Sequence, residues 1–163
     1  MKKIVRFMLL ICLAASLAAC AGTPKLEEGE RYFAGEVDFE YAESCTVSYI
    51  LTADGQSIRD TRLNIQKLSY SIPYKSATVS TTIRENVSSS SVGFAGVHQI
   101  DANGNVTISS REIELRFRVT PNGAAGEMDY SYKTKAGETP SIDLFIGTYP
   151  FATEDKTASL AAG

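Results

Sequence analysis

Polar and apolar residues alternate repeatedly between residues 32 and 152, in a stretch that is dense in Val, Ile, Thr and Tyr. Alternation with period two places apolar side chains on one face of a β-strand and polar side chains on the other. Turn-forming residues recur about every ten positions, which is typical of sandwiches and barrels. The pattern therefore predicts an all-β fold for residues 32–152: an antiparallel β-sandwich of about 7–9 strands, with a small β-barrel as the alternative.

The length of this stretch limits the number of domains. About 120 residues can build one hydrophobic core and are too few for two comfortable ones, so we expect a single domain. The nearest candidate for a helix is Ser57–Leu68, where three apolar residues roughly share a helical face. The segment follows Asp54-Gly55, which is a hairpin signal, and its apolar residues fit a strand equally well. We therefore predict a strand there.

The clearest strand pair joins Glu112–Thr120 to Glu127–Lys135 through a loop at residues 121–126. If Thr120 lies opposite Glu127, apolar residues pair on one face and opposite charges pair on the other, as cross-strand pairing favours. The apolar pairs are Val119 with Met128, Phe117 with Tyr130 and Leu115 with Tyr132. The charged pairs are Arg118 with Asp129, Glu114 with Lys133 and Glu112 with Lys135.

A second hairpin is predicted immediately upstream, between Val92–Asp101 and Asn105–Ser110. Gly104 can take the positive φ of a three-residue loop, and Ile100 would then face Val106. The parity of the apolar residues changes near residues 109–111. We expect a bulge or a corner at that point, where the chain would pass from one sheet to the other.

The N-terminus has the organisation of an export signal. Lys2, Lys3 and Arg6 form a basic start, and a short apolar stretch follows, too short to span a bilayer. It ends at Leu17-Ala18-Ala19-Cys20, which resembles the lipobox of bacterial lipoproteins. The resemblance implies cleavage before Cys20, followed by attachment of a diacylglyceryl and an N-acyl lipid to that cysteine. Such a multi-chain anchor holds a protein stably on a membrane without crossing it.

The same resemblance predicts where the protein lies and how the chain is divided. Ala21 follows Cys20, and the absence of Asp there favours the outer membrane, on its periplasmic side, in an organism with two membranes. In an organism with one membrane, the anchor would hold the protein on the outer face. We expect a signal peptide at residues 1–19, a lipidated and flexible tether at 20–31, the β domain at 32–152 and a loose tail at 153–163.

The charge of the processed chain limits its partners. Residues 20–163 contain 13 Lys and Arg against 19 Asp and Glu, so the formal net charge is −6. Neither half of the processed chain shows a basic stripe interleaved with aromatic residues. We therefore expect no nucleic-acid partner.

Cys45 is the only thiol that remains after processing, because Cys12 leaves with the signal peptide and Cys20 becomes a thioether. Cys45 shares its parity with Val47, Tyr49 and Leu51, which places it on the same, apolar face of a strand. This position favours a buried, inert thiol. The alternative is a thiol that pairs between chains or reacts in an oxidising envelope.

Asp101–Glu112 resembles the calcium loop of EF-hand proteins, with Asp101, Asn103, Asn105 and Glu112 among the residues at ligand offsets. The segment departs from that loop at Val106, where the loop requires glycine. Both flanking segments also lack helical patterns. A hairpin turn explains the same residues, so we predict no metal site and no cofactor other than the covalent lipid.

His98 is the only histidine, which excludes by count any site that needs two. A Ser-His-Asp triad needs only one, but the chain lacks a Gly-x-Ser-x-Gly elbow, and His98 lies in a strand pattern. We therefore predict no catalytic residues.

Tyr70, Pro73 and Tyr74 form the densest aromatic patch outside the predicted hairpin of residues 112–135. Tyrosine provides a large contact area at a small entropic cost, which makes these three residues candidates for partner binding. The alternative is that they only cover the core of an edge strand.

The predicted lipidation at Cys20, the aromatic patch and the lack of a catalytic motif together predict a non-catalytic binding or assembly role towards another envelope protein. A periplasmic inhibitor or small-ligand carrier is the second possibility, and a hydrolase is the third.

Overall fold

The computed structural model describes residues 24–75, 80–87, 90–110, 112–131 and 146–160; for 68–75, 80–87 and 90 it describes the backbone. The predicted signal peptide, Cys20, Tyr132, Lys133 and Lys135 lie outside the described residues.

Strands account for most of the described chain. They are β1 (Arg31–Glu36), β2 (Ser44–Leu51), β3 (Ser57–Gln66), β4 (Leu68–Lys75), β5 (Ser80–Val87), β6 (Ser90–Gln99), β7 (Asn105–Ser110), β8 (Ile113–Thr120), β9 (Gly123–Tyr130) and β10 (Gly147–Asp155). A short helix, α1 (Thr157–Leu160), follows them. The prediction of an all-β fold is confirmed, and Ser57–Gln66 is a strand. In the described part of the chain, no helix is both long enough and apolar enough to cross a membrane.

Eight of the strands form one antiparallel sheet in the order β6-β3-β2-β1-β10-β9-β8-β7. The sheet curls into a nearly closed barrel, with β6 and β7 as its two edges. Of the two architectures expected from the sequence, the single curled sheet is closer to the small barrel. Strands β4 and β5 pair with each other in a separate two-stranded sheet, which we call the ribbon.

The barrel interior is filled by the apolar faces of its strands. On β8, buried Ile113, Leu115 and Phe117 alternate with residues that are more exposed, so the period-two pattern predicts this face correctly. Aromatic rings from different strands meet in this core. Tyr49 lies between Phe33 and Phe117, with ring centroids 5.4 Å and 5.5 Å away. Packing of this kind adds to the stabilisation from burial alone.

The pairing predicted for the clearest hairpin is wrong by four residues. Thr120 lies opposite Gly123 instead of Glu127, and the loop shrinks to residues 121–122. Leu115 consequently faces Met128, where Tyr132 was expected. Because four is an even number, every side chain keeps its predicted face while its partner changes.

Gly126 explains why this hairpin closes early. It lies inside β9, opposite Phe117 on one side and Phe151 on the other. A Cβ atom at this position would be 2.2 Å from the Arg116 carbonyl oxygen and 2.3 Å from the Phe117 Cβ atom. The small residues at 123–126 are therefore strand residues, although their composition resembles that of a loop, and Gly126 among them lies between two aromatic neighbours.

The shift also changes the predicted charge pairs. Arg116, instead of Arg118, forms an ion pair with Asp129. Arg118 lies opposite Ala125. Arg116 is also 3.6 Å from a carboxylate oxygen of Glu114 on its own strand. These pairs are substantially exposed, so each contributes little to stability.

The second predicted hairpin is correct in its turn and wrong in its pairing. Gly104 has a φ of 86°, as expected, and the Asp101 amide donates to the Asn105 carbonyl oxygen at 3.0 Å. Beyond that turn, β6 pairs with β3 and β7 pairs with β8, so Ile100 does not face Val106 in a ladder. The two strands form the opposite edges of the curled sheet, where they contact each other without pairing in a ladder.

The change of apolar parity near residues 109–111 is also explained differently. Strands β7 and β8 form a tight hairpin in which Ser110 lies opposite Ile113 and Val106 lies opposite Phe117. In this register an even-numbered residue faces an odd-numbered one. The parity therefore changes between the two strands. Their described ladder, residues 105–110 with 113–118, contains no bulge, and both strands belong to the same sheet, so the predicted passage between two sheets is wrong.

Both ends of the domain extend beyond the predicted boundaries. Glu30 is only 8% exposed and Arg31 begins β1, although both were assigned to the tether. Thr153 lies within β10, although the loose tail was expected to begin there. The Lys156 amide then donates to the Tyr32 carbonyl oxygen at 2.8 Å. Strands β1 and β10 pair near their ends, which orders residues that have no apolar period of their own.

The alternating strand directions give the barrel two ends. The end at which β1 starts, here called the tether end, also carries the turns at 52–56, 100–104 and 121–122. The opposite end, called the ribbon end, carries the loop at 38–43 and the last residue of β3, Gln66, from which the chain enters the ribbon. The tether and the ribbon thus leave the barrel at opposite ends.

Candidate functional site

The ribbon contains all three residues that the sequence singles out for partner binding. Tyr70 lies opposite Glu85, Pro73 lies opposite Thr82, and Tyr74 follows one position later. Alternation along β4 places Tyr70 and Tyr74 on one face of the ribbon and Pro73 on the other. The register therefore places the two tyrosines on the same face, four positions apart along β4, and the proline on the other face.

The tyrosine face has an apolar pattern across both strands. Leu68 and Ile72 share the parity of the tyrosines, and their partners on β5 are Val87 and Ile83. The other face carries serine, threonine and charged residues at most positions. An amphipathic two-stranded sheet of this kind is only marginally stable alone in water. It is stabilised when another surface covers its apolar face.

The ribbon also offers backbone groups to a partner. Among the described residues, β4 and β5 pair with each other and with no strand of the barrel. Each therefore has one edge whose amide and carbonyl groups do not pair with a described strand. Such edges are templates for strand addition. Pro73 lacks an amide hydrogen, which is typical of edge strands.

A cavity of about 500 Å³ lies at the ribbon end. Its lining comes from residues 36–40, residues 42–46 and Gln66, and includes Glu36, Asp38, Glu40 and Glu43. The lining also includes Cys45, a free thiol that is 3% exposed. Burial raises the pKa of this thiol to about 12, so it stays protonated at neutral pH and is a weak nucleophile. Cys45 therefore provides no reactive group to this cavity.

A second cavity, of about 490 Å³, lies among the turns of the tether end. Asp101 organises one of these turns, because its carboxylate accepts the amides of Asn103 at 2.8 Å and Asn105 at 2.7 Å. The Asn105 amide makes the largest contribution to lowering the pKa of Asp101, followed by the Asn105 side chain. The carboxylate thus stabilises a turn, as an Asx turn does.

The structure does not bring the residues of the calcium-loop resemblance together. Asp101, Asn103 and Asn105 lie at the tether end, whereas Glu112 follows β7 at the ribbon end. A six-residue strand separates the two groups. Among the described residues, no group of three or more His, Cys, Asp and Glu side chains is arranged to hold a metal ion.

His98 lies on β6 opposite Ile58, a fully buried core residue. Its Nε2 atom is buried and has no hydrogen-bond partner within the described part of the chain. No described serine or carboxylate is therefore placed at hydrogen-bond distance from that nitrogen, as a triad would require.

A cluster that sequence reasoning missed joins the tether to the barrel. Arg59 on β3 donates from Nε to Glu30 Oε1 at 2.8 Å, and from Nη2 to Glu30 Oε2 at 2.5 Å. The same Nη2 donates to the Lys25 carbonyl oxygen at 3.0 Å, and the Glu27 amide donates to Glu30 Oε2 at 2.8 Å. We call this group, Lys25, Glu27, Glu30 and Arg59, the clamp.

The clamp has the geometry of a strong ion pair. Its contact is bidentate and charge-assisted, and the Glu30 side chain is only 6% exposed. The hydrogen bond from Arg59 lowers the pKa of Glu30 and is the largest contribution to that shift. Twenty-nine residues separate the two partners, and no local pattern connects them.

Comparison of the chain with protein-family models, with curated proteins and with solved structures found no match.

Proposed function

We propose that this protein is a lipid-anchored envelope lipoprotein with a non-catalytic role, and that its ribbon binds another envelope protein. The anchor part of the proposal is supported by Leu17-Ala18-Ala19-Cys20 behind a basic, apolar N-terminus. The binding part is supported by one observation above all: the ribbon is a separate two-stranded sheet with an amphipathic pattern.

Two physical properties make the ribbon suited to binding. A second surface packed on the tyrosine face would bury apolar area that a lone ribbon leaves without a covering sheet. Tyr70 and Tyr74 share that face and are the residue type enriched at the centres of interfaces. A strand of the partner could also add to a ribbon edge and form main-chain hydrogen bonds.

Three titratable side chains in the described part of the chain are engaged or unreactive. The Cys45 thiol is buried and protonated, and Asp101 stabilises a turn. Glu30 is held in an ion pair by Arg59. These roles support binding over a hydrolytic reaction.

A small-ligand carrier is the second candidate. The cavity of about 500 Å³ at the ribbon end favours it, because ligand sites commonly enclose volumes of this order. Its four carboxylates indicate a cationic or hydroxylated ligand. Calorimetric binding of such a ligand, lost in a Glu40→Lys variant, would move the assignment from the ribbon to this cavity.

The ribbon assignment is tested by photo-crosslinking of the native lipidated protein in its own envelope. The Tyr70→Ala, Tyr74→Ala double variant should lose capture of the partner. The Ser69→Ala, Ser71→Ala double variant is the matched control, because it changes the same strand on its other face. Equal capture by both variants would rule out the tyrosine face as the interface.

The anchor is tested separately by fractionation of the Cys20→Ala variant. We expect this variant to leave the membrane fraction while its circular dichroism spectrum stays that of a β protein. Unchanged membrane association would contradict lipidation at Cys20.

The ribbon test has one further outcome. If the Tyr70→Ala, Tyr74→Ala double variant no longer folds, the tyrosines stabilise the fold, which is the alternative that the sequence leaves open.

A further inference from the structure

The clamp shortens the tether. Arg59 holds the Lys25 carbonyl oxygen and the Glu30 carboxylate against β3, so the chain from residue 25 onwards belongs to the barrel. The first fixed point, Lys25, then lies only five residue steps after Cys20, with four residues between them. Five steps span at most about 18 Å even when fully extended.

The ribbon begins far from that fixed point. Arg59 lies near the tether end, and Gln66 at the ribbon end follows it by seven residue steps along β3. Seven steps cover about 23 Å along the strand. Since barrel strands tilt by about 35–45°, this corresponds to about 16–19 Å along the barrel axis, and the eight residues of β4 can add a further length of about 26 Å. If the ribbon pointed at the membrane, Lys25 would lie farther from the lipid surface than the tether can reach.

We infer that the tether end of the barrel faces the phospholipid headgroups, and that the clamp keeps the ribbon on the side away from the membrane. This inference rests on the proposed lipid anchor at Cys20. Its consequence is that the partner binds the ribbon in the aqueous space beyond the membrane surface that holds the anchor.

The tether end carries charges of both signs, because the basic residues Arg31 and Arg118 lie there as well as two acidic turns. The exposed turns of the tether end carry Asp54 and Asp101, which anionic headgroups would repel. Each of these carboxylates accepts backbone amides of its own turn, and these bonds lower the pKa of both. Both therefore stay negative at neutral pH. The short tether alone determines which end faces the membrane, so the orientation should not require anionic lipid.

Fluorescence quenching in vesicles tests the orientation directly. The lipidated protein is placed in phosphatidylcholine vesicles that contain a lipid with a nitroxide on its headgroup. A fluorophore is attached to Asp54→Cys in the turn at 52–56, or to Lys75→Cys at the end of β4. Native Cys45 does not compete for the label, because it is buried and protonated.

We expect the label at position 54 to be quenched several-fold more than the label at position 75. Equal quenching would indicate a barrel that lies on its side, and stronger quenching at position 75 would indicate the inverted orientation. Either result would overturn the inference while leaving the lipid anchor intact. If the native protein and its Cys20→Ala variant both fail to bind vesicles, the anchor and the inference fall together.

The role of the clamp is tested by Arg59→Gln. Loss of the ion pair frees residues 25–30. The tether then extends over the eleven residue steps from Cys20 to Arg31, which span up to about 38 Å. The ratio of quenching between the two labels should then fall towards one. Arg62→Gln is the matched control on the same strand and should keep the native ratio. An unchanged ratio in folded Arg59→Gln would show that the clamp does not set the orientation.

Discussion

Thr61 offers a direct test of how the barrel core is packed. It is 1% exposed, the lowest value among the buried polar residues of the described chain. Its Oγ1 atom has no hydrogen-bond partner there, although its neighbours on β3 participate in the ladders with β2 and β6. The hydroxyl thus occupies an apolar position, opposite Phe94. We predict that Thr61→Val stabilises the protein.

The magnitude follows from the cost of an unpaired hydroxyl. In protein mutants, burying such a group without a hydrogen bond costs about 1–3 kcal/mol. Valine replaces the hydroxyl with a methyl group of similar size and keeps the β-branched shape that strands favour. Because part of the cost is recovered by local relaxation in the native protein, we expect a gain of about 1 kcal/mol. For a domain of this size that corresponds to a rise in Tm of roughly 3–5 °C.

Thr153→Val is the matched control, because it is the same substitution at another buried position. The Thr153 Oγ1 atom accepts the Ala124 amide at 2.9 Å and shares a hydrogen bond with the Tyr49 hydroxyl at 3.2 Å. Both partners would be left unpaired in the core, so we expect a loss of about 1–3 kcal/mol.

Urea unfolding of the purified mature protein, followed by far-UV circular dichroism, measures both changes in the free energy of unfolding. The two variants should move the midpoint in opposite directions. A Thr61→Val protein that is less stable than the native one would refute the reasoning, because it would show that the hydroxyl has a partner. A Thr153→Val protein with the stability of the native protein would also refute the reasoning, because it would show that losing these hydrogen bonds has no cost.

Three further predictions concern the clamp, the core and the free thiol. Since Arg59 lowers the pKa of Glu30, the ion pair should stabilise the protein above pH 4.5, the ordinary pKa of Glu. This stabilisation should be lost as the pH falls through the lowered pKa. The difference in unfolding free energy between native protein and Glu30→Gln should therefore shrink on acidification, and a constant difference from pH 7 to pH 3 would contradict it. Gly126→Ala should cost about 1–3 kcal/mol by urea unfolding, because its Cβ would lie 2.2 Å from a backbone oxygen of β8. Gly93→Ala, whose Cβ would meet nothing within 4 Å, is the control, and equal costs would count against the β8–β9 register. Cys45 should resist maleimide at neutral pH in the folded protein and react after unfolding, as read by mass spectrometry; rapid labelling of the folded form would show that the thiol is accessible.

The faces of the strands were predictable because they depend on local order in the chain. Alternation alone identifies Leu115 and Phe117 as core residues, and the structure buries both. It also places Cys45 correctly in the core with Val47 and Tyr49, although both faces of β2 are buried. The turn at Gly104 was predictable for a related reason, since a positive φ is a local property that favours glycine.

The partners of the strands were not predictable from the same information. A shift of four residues in the β8–β9 pair leaves every face unchanged, so the alternation of residues is the same for the right and the wrong register. The choice is made by Gly126, which must lie where Phe117 and Phe151 approach it from two neighbouring strands. One of those rings comes from a strand 25 residues away in the sequence.

The residues of the candidate site were also predictable from the sequence only in part. The composition of residues 70–74 is enough to select Tyr70 and Tyr74, and alternation along a strand separates their face from that of Pro73. Only the structure shows that this strand pairs with β5 in a sheet separate from the barrel. The bond between Glu30 and Arg59 has no signal in the sequence, because the two residues meet only after β1, β2 and β3 have paired. The sequence by itself therefore determined the all-β class, the buried faces and the local turns, which depend on neighbouring residues. The tertiary structure decided the register, the order of the strands and the opposite placement of tether and ribbon, because these depend on contacts between residues far apart in the chain.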